Sequence, residues 1–239
     1  MHHTVDVRNL HYAYGDGTQA LDGVNLFIAP GEKVALVGPN GSGKSTLILH
    51  LNGILMGDGE VRVCSQPVQA ETLGKVRAAV GLVFQDPDDQ LFSQSVFDDV
   101  AFGPIYMGCK PAEVRKRVDQ ALQAVGMETT AERVPHHLSQ GEKKRVAIAT
   151  VIAMDPEILV LDEPSAGLDP RSRRELIRLL DELPQTMLVA SHDMQFVAEI
   201  FPRMIIIDQG RIVADGATDE LMNNPALLEA HGLEAPCRH

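Results

Sequence analysis

The chain has 239 residues, 44% of them hydrophobic and 23% charged, with a formal net charge of −12. That length carries one good core, or one core with a smaller lobe attached. The acidity argues against a broad nucleic-acid face, which needs clustered Lys and Arg against phosphates, while leaving room for a small basic pocket.

In chain order, the apolar run 34–37 reads as a fully buried strand entering a turn at Gly38. Residues 46–49 continue from that turn as a helix. From about 86 to 155 the pattern is mostly helical, with no convincing buried strand. This predicts a helical subdomain inserted between about 1–85 and 156–239 of a single domain. Within it, Pro111 suits a first helical turn, Val114, Val118, Ala121, Leu122 and Val125 follow at helical spacing, and Gly126 stops the run. A second buried strand, 158–161, ends in Asp162 and Glu163. Asp169-Pro170 is a cap and first-turn proline for an amphipathic helix carrying Leu176, Ile177, Leu179, Leu180 and Leu183. A third strand, 187–190, ends in Ser191-His192-Asp193. Residues 204–207 and 211–214 flank Gln209-Gly210 as a tight hairpin. Buried strands alternating with helices imply a mostly parallel α/β sheet.

Gly38-Pro39-Asn40-Gly41-Ser42-Gly43-Lys44-Ser45 fits G-x-x-x-x-G-K-S/T in full, between a strand and a helix, as that motif requires. Its backbone N–H groups and the following helix N-terminus are expected to cradle phosphates. Lys44 is expected to reach the β- and γ-phosphates, and Ser45 to ligate Mg²⁺. Asp162 and Glu163 reach the sheet edge where ligands bind in such folds, on opposite faces if the strand pleat continues. Asp162 is then the expected Mg²⁺ partner and Glu163 the general base for a water attacking the γ-phosphate. His192, at the next strand end, can hydrogen-bond that phosphate or fix the water.

Leu138-Ser139-Gln140-Gly141-Glu142, followed by Lys143-Lys144-Arg145, resembles the signature motif of ATP-binding-cassette ATPases, and the resemblance runs over roughly 5–221. It implies the P-loop cassette fold: a mostly parallel core sheet, an antiparallel N-terminal β subdomain and an inserted helical subdomain. It also implies an adenine-stacking role for Tyr14, triphosphate contacts from 38–46 including Thr46, and Mg²⁺ and water contacts for Gln85. Ser165, Gly167 and Asp169 resemble the loop that communicates across a dimer, and His192 the switch histidine. Residues 138–142, chiefly Ser139 and Gly141, would hold the ATP bound by a second ATPase subunit, so a C2 homodimer with two sandwiched ATPs is implied. Gln140 stands where Gly is usual, and Glu142 where Gln is usual. The extra carboxylate is expected to weaken ATP at the seam unless it points away or pairs with Lys143 or Lys144.

The segment 85–92 resembles energy-coupling-factor importers, whose ATPases serve vitamins or transition-metal ions, and 227–233 is similar to cobalt and nickel members. The implied activity is ATP hydrolysis energising metal-ion import through membrane-embedded scaffold and substrate-binding subunits, at the cytoplasmic face of the membrane. Vitamin import and a soluble, non-transport cassette ATPase are the alternatives. Leu91, Phe92, Val96 and Phe97 are candidate contacts for the scaffold, or simply core. The longest greasy helical stretch, 146–154, interrupted by Thr150, falls far short of the ~18–20 apolar residues a span requires, so membrane contact is expected through partners alone. Residues 1–9 lack a signal-peptide pattern. Cys64, Cys109 and Cys237 have no disulfide or metal spacing and read as free thiols. His2, His3, His136, His137 and Cys237-Arg238-His239 lack four-ligand spacing and predict no metal site.

Overall fold

The computed structural model describes residues 4–234, so His2, His3 and Cys237-Arg238-His239 lie outside the described residues. Strands β1 (Val5–Ala13) and β2 (Gln19–Ile28) lead into β3 (Lys33–Val37) and helix α1 (Lys44–Leu51). Then come β4 (Asp58–Val63), β5 (Gln66–Pro67), α2 (Leu73–Ala79) and β6 (Val80–Val83). Helices α3 (Val96–Tyr106), α4 (Pro111–Ala124) and α5 (Gln140–Ile152) follow, with short 3₁₀ turns between them. The chain then alternates β7 (Ile158–Asp162), α6 (Pro170–Glu182), β8 (Thr186–Ala190) and α7 (Met194–Ile200). It closes with the hairpin β9 (Arg203–Asp208) and β10 (Arg211–Ala217), then α8 (Thr218–Met222) and α9 (Pro225–Ala230).

Among the described residues these strands form two sheets. One has the order β2-β1-β4-β5 and is antiparallel throughout. The other has the order β10-β9-β3-β8-β7-β6 and is parallel except for the β9–β10 hairpin. Every residue of β6 and β8 is buried, and β3 and β7 are nearly so, because both faces of the larger sheet are covered. Strand alternation divides those residues between two cores. Val34, Leu36, Ile158, Val160 and Leu188 pack with β1, β2 and α1 on one side. Ala35, Val37, Leu159, Leu161 and Val189 pack with α3 to α7 on the other.

β6 has no counterpart among the strands read from the sequence, because Val80-Gly81-Leu82-Val83 is short and broken by glycine. Here Gly81 is a packing site: a Cβ on it would stand 2.1 Å from Val151 of α5. Helix α5 therefore lies close against the sheet edge. Helices α3, α4 and α5 pack on one another, α4 through Val114, Val118, Ala121 and Leu122. Ser45 just after the phosphate turn, Asp162 at the β7 end and Gln140 at the start of α5 line one crevice at the C-terminal edge of the larger sheet, and His192 beyond β8 stands against Glu163 beside Asp162.

Candidate functional site

β3 delivers the turn 38–43 to this crevice. Gly43, the N-cap of α1, has φ of 109° and lies so close to strand β2 that a Cβ would sit 2.6 Å from the Ala20 carbonyl oxygen. No L side chain fits there, which is what the glycine in the motif secures. Ser42 and Thr46 are buried, while Asn40, Gly41 and Ser45 face out. Lys44 folds back over the turn, its Nζ donating to the Gly38 carbonyl at 2.8 Å and the Pro39 carbonyl at 3.0 Å. Burial pulls its pKa down, against the pull of Glu163 and Asp162. Tyr14 stands beside the head of α1, its hydroxyl 2.9 Å from Thr46 Oγ1 and its ring edge-on to Tyr12.

Asp162 is the last residue of β7. Its Oδ1 is buried with no hydrogen-bond partner, and burial raises its pKa, opposed by a hydrogen bond with Ser45. An orphaned carboxylate oxygen next to a hydroxyl is a donor set that suits a hard divalent cation such as Mg²⁺. Glu163 does not continue the strand pleat. Its φ of 45° is left-handed, so the opposite-face expectation fails at this residue. The turn carries its side chain into a buried position, where Oε2 lies 2.8 Å from His192 Nδ1 and accepts from the His192 backbone N–H at 3.3 Å. The imidazole itself is 59% exposed. A buried carboxylate held by a histidine that still meets solvent can take a proton from a water at the cleft.

That cleft, about 730 Å³, is lined among others by Ser45, Gln85, Asp162, Gln140, Lys144 and Gly167. Gln85 is exposed, just past β6. Leu138 is buried and Ser139 is the N-cap of α5. Ser139 and Glu142 form a full capping box: the Ser139 hydroxyl donates to Glu142 Oε2 at 2.7 Å and its N–H to the same oxygen at 2.8 Å. Arg133 donates to Glu142 Oε1 at 3.1 Å and to the His137 carbonyl. Those bonds, first from Ser139 and then from Arg133, hold the Glu142 carboxyl below its ordinary range. Of the ways considered for this carboxylate, pairing with Lys143 or Lys144 does not occur, because Ser139 and Arg133 hold it instead. Lys143 bonds Asp88 at 2.7 Å, and Lys144 bonds the backbone carbonyls of Glu163, Pro164 and Ala166. Ser165 is buried, Gly167 is exposed, and Asp169 caps α6 by accepting from the Arg171 and Ser172 N–H groups.

Three residues make contacts that sequence reasoning does not give. Lys144 and Arg133 gave no signal beyond charge. Gln90 accepts from Phe84 N–H and donates to the Ala147 carbonyl and Thr150 Oγ1, tying the segment after β6 to α5. Thr150, an interruption in an apolar run, was the one hint. Of the four candidate scaffold contacts, Leu91 and Val96 are fully buried core, and Phe97 is half-buried beneath Arg115. Only Phe92 faces out, edge-on to exposed Phe102. His136 and His137 sit in a 3₁₀ turn, and no group of three His, Cys, Asp or Glu that could hold a metal occurs among the described residues. No helix among the described residues is long and apolar enough to cross a membrane.

A family profile described as ABC transporter matches residues 21–166. A Gloeobacter violaceus protein provisionally named an ABC transporter ATP-binding protein is 58% identical over 96% of this chain and 96% of its own length. The energy-coupling factor transporter ATP-binding protein EcfA of Methanothermobacter thermautotrophicus is 47% identical over 97% of this chain and 76% of its own. Among solved structures, cbiO1 from Clostridium perfringens, described as part of the ABC transporter complex cbiONQ, superposes with a TM-score of 0.84. It is 42% identical, over 95% of this chain and 93% of its own.

Proposed function

The chain belongs to the ABC transporter family, and from that premise we propose that it is the ATP-hydrolysing subunit of an energy-coupling-factor importer, working as a dimer on membrane partners. The observation that carries the chemistry is the closeness of Lys44, the orphaned Asp162 oxygen and the buried Glu163–His192 pair: Lys44 feels the charges of both Glu163 and Asp162, and Asp162 and Ser45 line the cleft. On binding, the turn's N–H groups and the α1 N-terminus take phosphate oxygens. Lys44 exchanges its two carbonyl acceptors for the β- and γ-phosphates. Tyr14 stacks on adenine. Ser45, Asp162 and Gln85 would hold Mg²⁺, which neutralises phosphate charge. Glu163 accepts the proton of the attacking water, and His192 fixes the carboxylate that receives it.

The second phosphate surface, Ser139 and the backbone at Gly141, serves the ATP of a second copy. Closure is then favoured by ATP, which binds both halves, and is released by hydrolysis. Gln140 flanks that surface at the cleft, and Ser165, Gly167 and Asp169 lie on the loop beside it. The membrane scaffold docks on the face bearing Phe92, with exposed Phe102, Ile105 and Tyr106 extending the apolar surface. This positions the chain at the cytoplasmic face of the membrane. The segment 85–92 fits an importer of vitamins or transition-metal ions, and 227–233 favours cobalt or nickel as the cargo. Purification from a detergent extract tests the assignment. Co-purifying membrane subunits, with metal uptake lost when this chain is deleted, are expected. A ribosomal or DNA partner in their place refutes it.

A further inference from the structure

The loop that leaves β7 has to hold Glu163 in a left-handed turn, a conformation that non-glycine residues adopt only when their surroundings impose it. Its backbone is gripped from an unexpected direction. Lys144 Nζ donates to the carbonyls of Glu163 at 3.0 Å, Pro164 at 3.0 Å and Ala166 at 2.7 Å. An ammonium has three N–H donors, and all three are spent on this one loop. Lys144 is itself only 7% exposed, and a buried ammonium is tolerated only where its donors are met. The three bonds therefore form a stiff tripod.

The tripod stands on α5, the helix whose N-cap is Ser139. The same helix braces the other wall of the cleft. Lys143 reaches Asp88, and Ala147 and Thr150 hold Gln90, so the segment from Gln85 to Gln90 is tied to α5 as well. We infer that Lys144 is a positioning residue for hydrolysis, which fixes the Glu163 carboxylate from the signature helix through the backbone of 163–166. The inference rests on Glu163 being the base. It adds a physical link: pressure from a partner's nucleotide on the head of α5 passes through a rigid side chain to the base of this chain's own site.

The test separates turnover from binding. Lys144→Met is expected to lower kcat roughly tenfold to a hundredfold, the scale of a slightly misplaced catalytic group, with ATP affinity unchanged by nucleotide fluorescence. Lys144→Gln, which keeps two N–H donors, is expected to recover part of the loss. If the Met variant does not fold, the Gln variant decides alone: lowered kcat at unchanged affinity supports the inference. Wild-type kcat, or affinity falling as far as kcat, overturns it. Glu163→Gln is measured beside them, with a loss of roughly 10²–10⁴-fold expected while ATP still binds. Wild-type turnover in that variant removes the base assignment itself, whatever Lys144 does.

Discussion

Glu142 illustrates how a single side chain can be misjudged from its neighbours in sequence. Next to two lysines, its charge looks like a threat to a phosphate site or one half of a local ion pair. In the fold it is the return arm of a capping box, clamped by Ser139 and by Arg133 from the preceding loop. Loss of such a cap costs about 1 kcal/mol, so Glu142→Ala is expected to melt lower than wild type at neutral pH. Because the folded pKa lies below the ordinary value of 4.5, this stabilisation is present above that value and disappears as the pH falls through the lowered one. Thermal melts across the acid range should show the two proteins converging at the acid end. A constant gap would mean that the charge is irrelevant to the cap. Glu163 carries the companion lesson. That a carboxylate ends the strand is legible in 158–163, but its left-handed turn and its burial against His192 depend on contacts from β8.

Helices and strands were read well wherever local chemistry punctuates them. Asp169-Pro170 does cap α6, Pro111 does open α4, and Gln209-Gly210 does close the β9–β10 hairpin. β6 escaped because a glycine inside four residues weakens any periodic signal, and its reason is a helix on another part of the chain. Gly141 is a similar case. Beyond its motif, it lets α5 approach α6: a Cβ there would stand 2.5 Å from Ser172 Oγ and 2.8 Å from Ser172 Cβ. The Ser172 hydroxyl is held by Asp169 at 2.6 Å and has little freedom to move aside. Gly141→Ala is expected to destabilise the fold by about 1–3 kcal/mol, the usual cost of overpacking, with Ser172→Gly restoring much of it in the double variant. Unfolding in denaturant measures both. Full stability of Gly141→Ala alone would show that the two helices yield.

Across the whole molecule, the larger sheet sits between two cores and carries the candidate site at one edge, while the Ser139 surface belongs to the head of α5. If two copies share each ATP, the halves of a site can be separated by mutation. Lys44→Ala spoils the turn and Ser139→Arg spoils the signature surface. Each homodimer is expected to be inactive, and the mixture to regain activity through the one intact composite site of the heterodimer. Isolated heterodimers that hydrolyse nothing would exclude the shared site.

The sequence by itself determined the class of the protein and most of its local structure. The phosphate turn, the strand-end carboxylates, the caps and the signature segment are contiguous, and their chemistry is legible one residue after another. Only the tertiary structure decided what those pieces do to each other: Lys144 gripping the Glu163 loop, Gln90 anchored on Thr150, Leu91 and Val96 sunk in the core while Phe92 faces out. These pairs are far apart along the chain or on opposite faces of one segment. Burial and hydrogen-bond satisfaction, which are properties of packed elements and not of residue order, select among their partners.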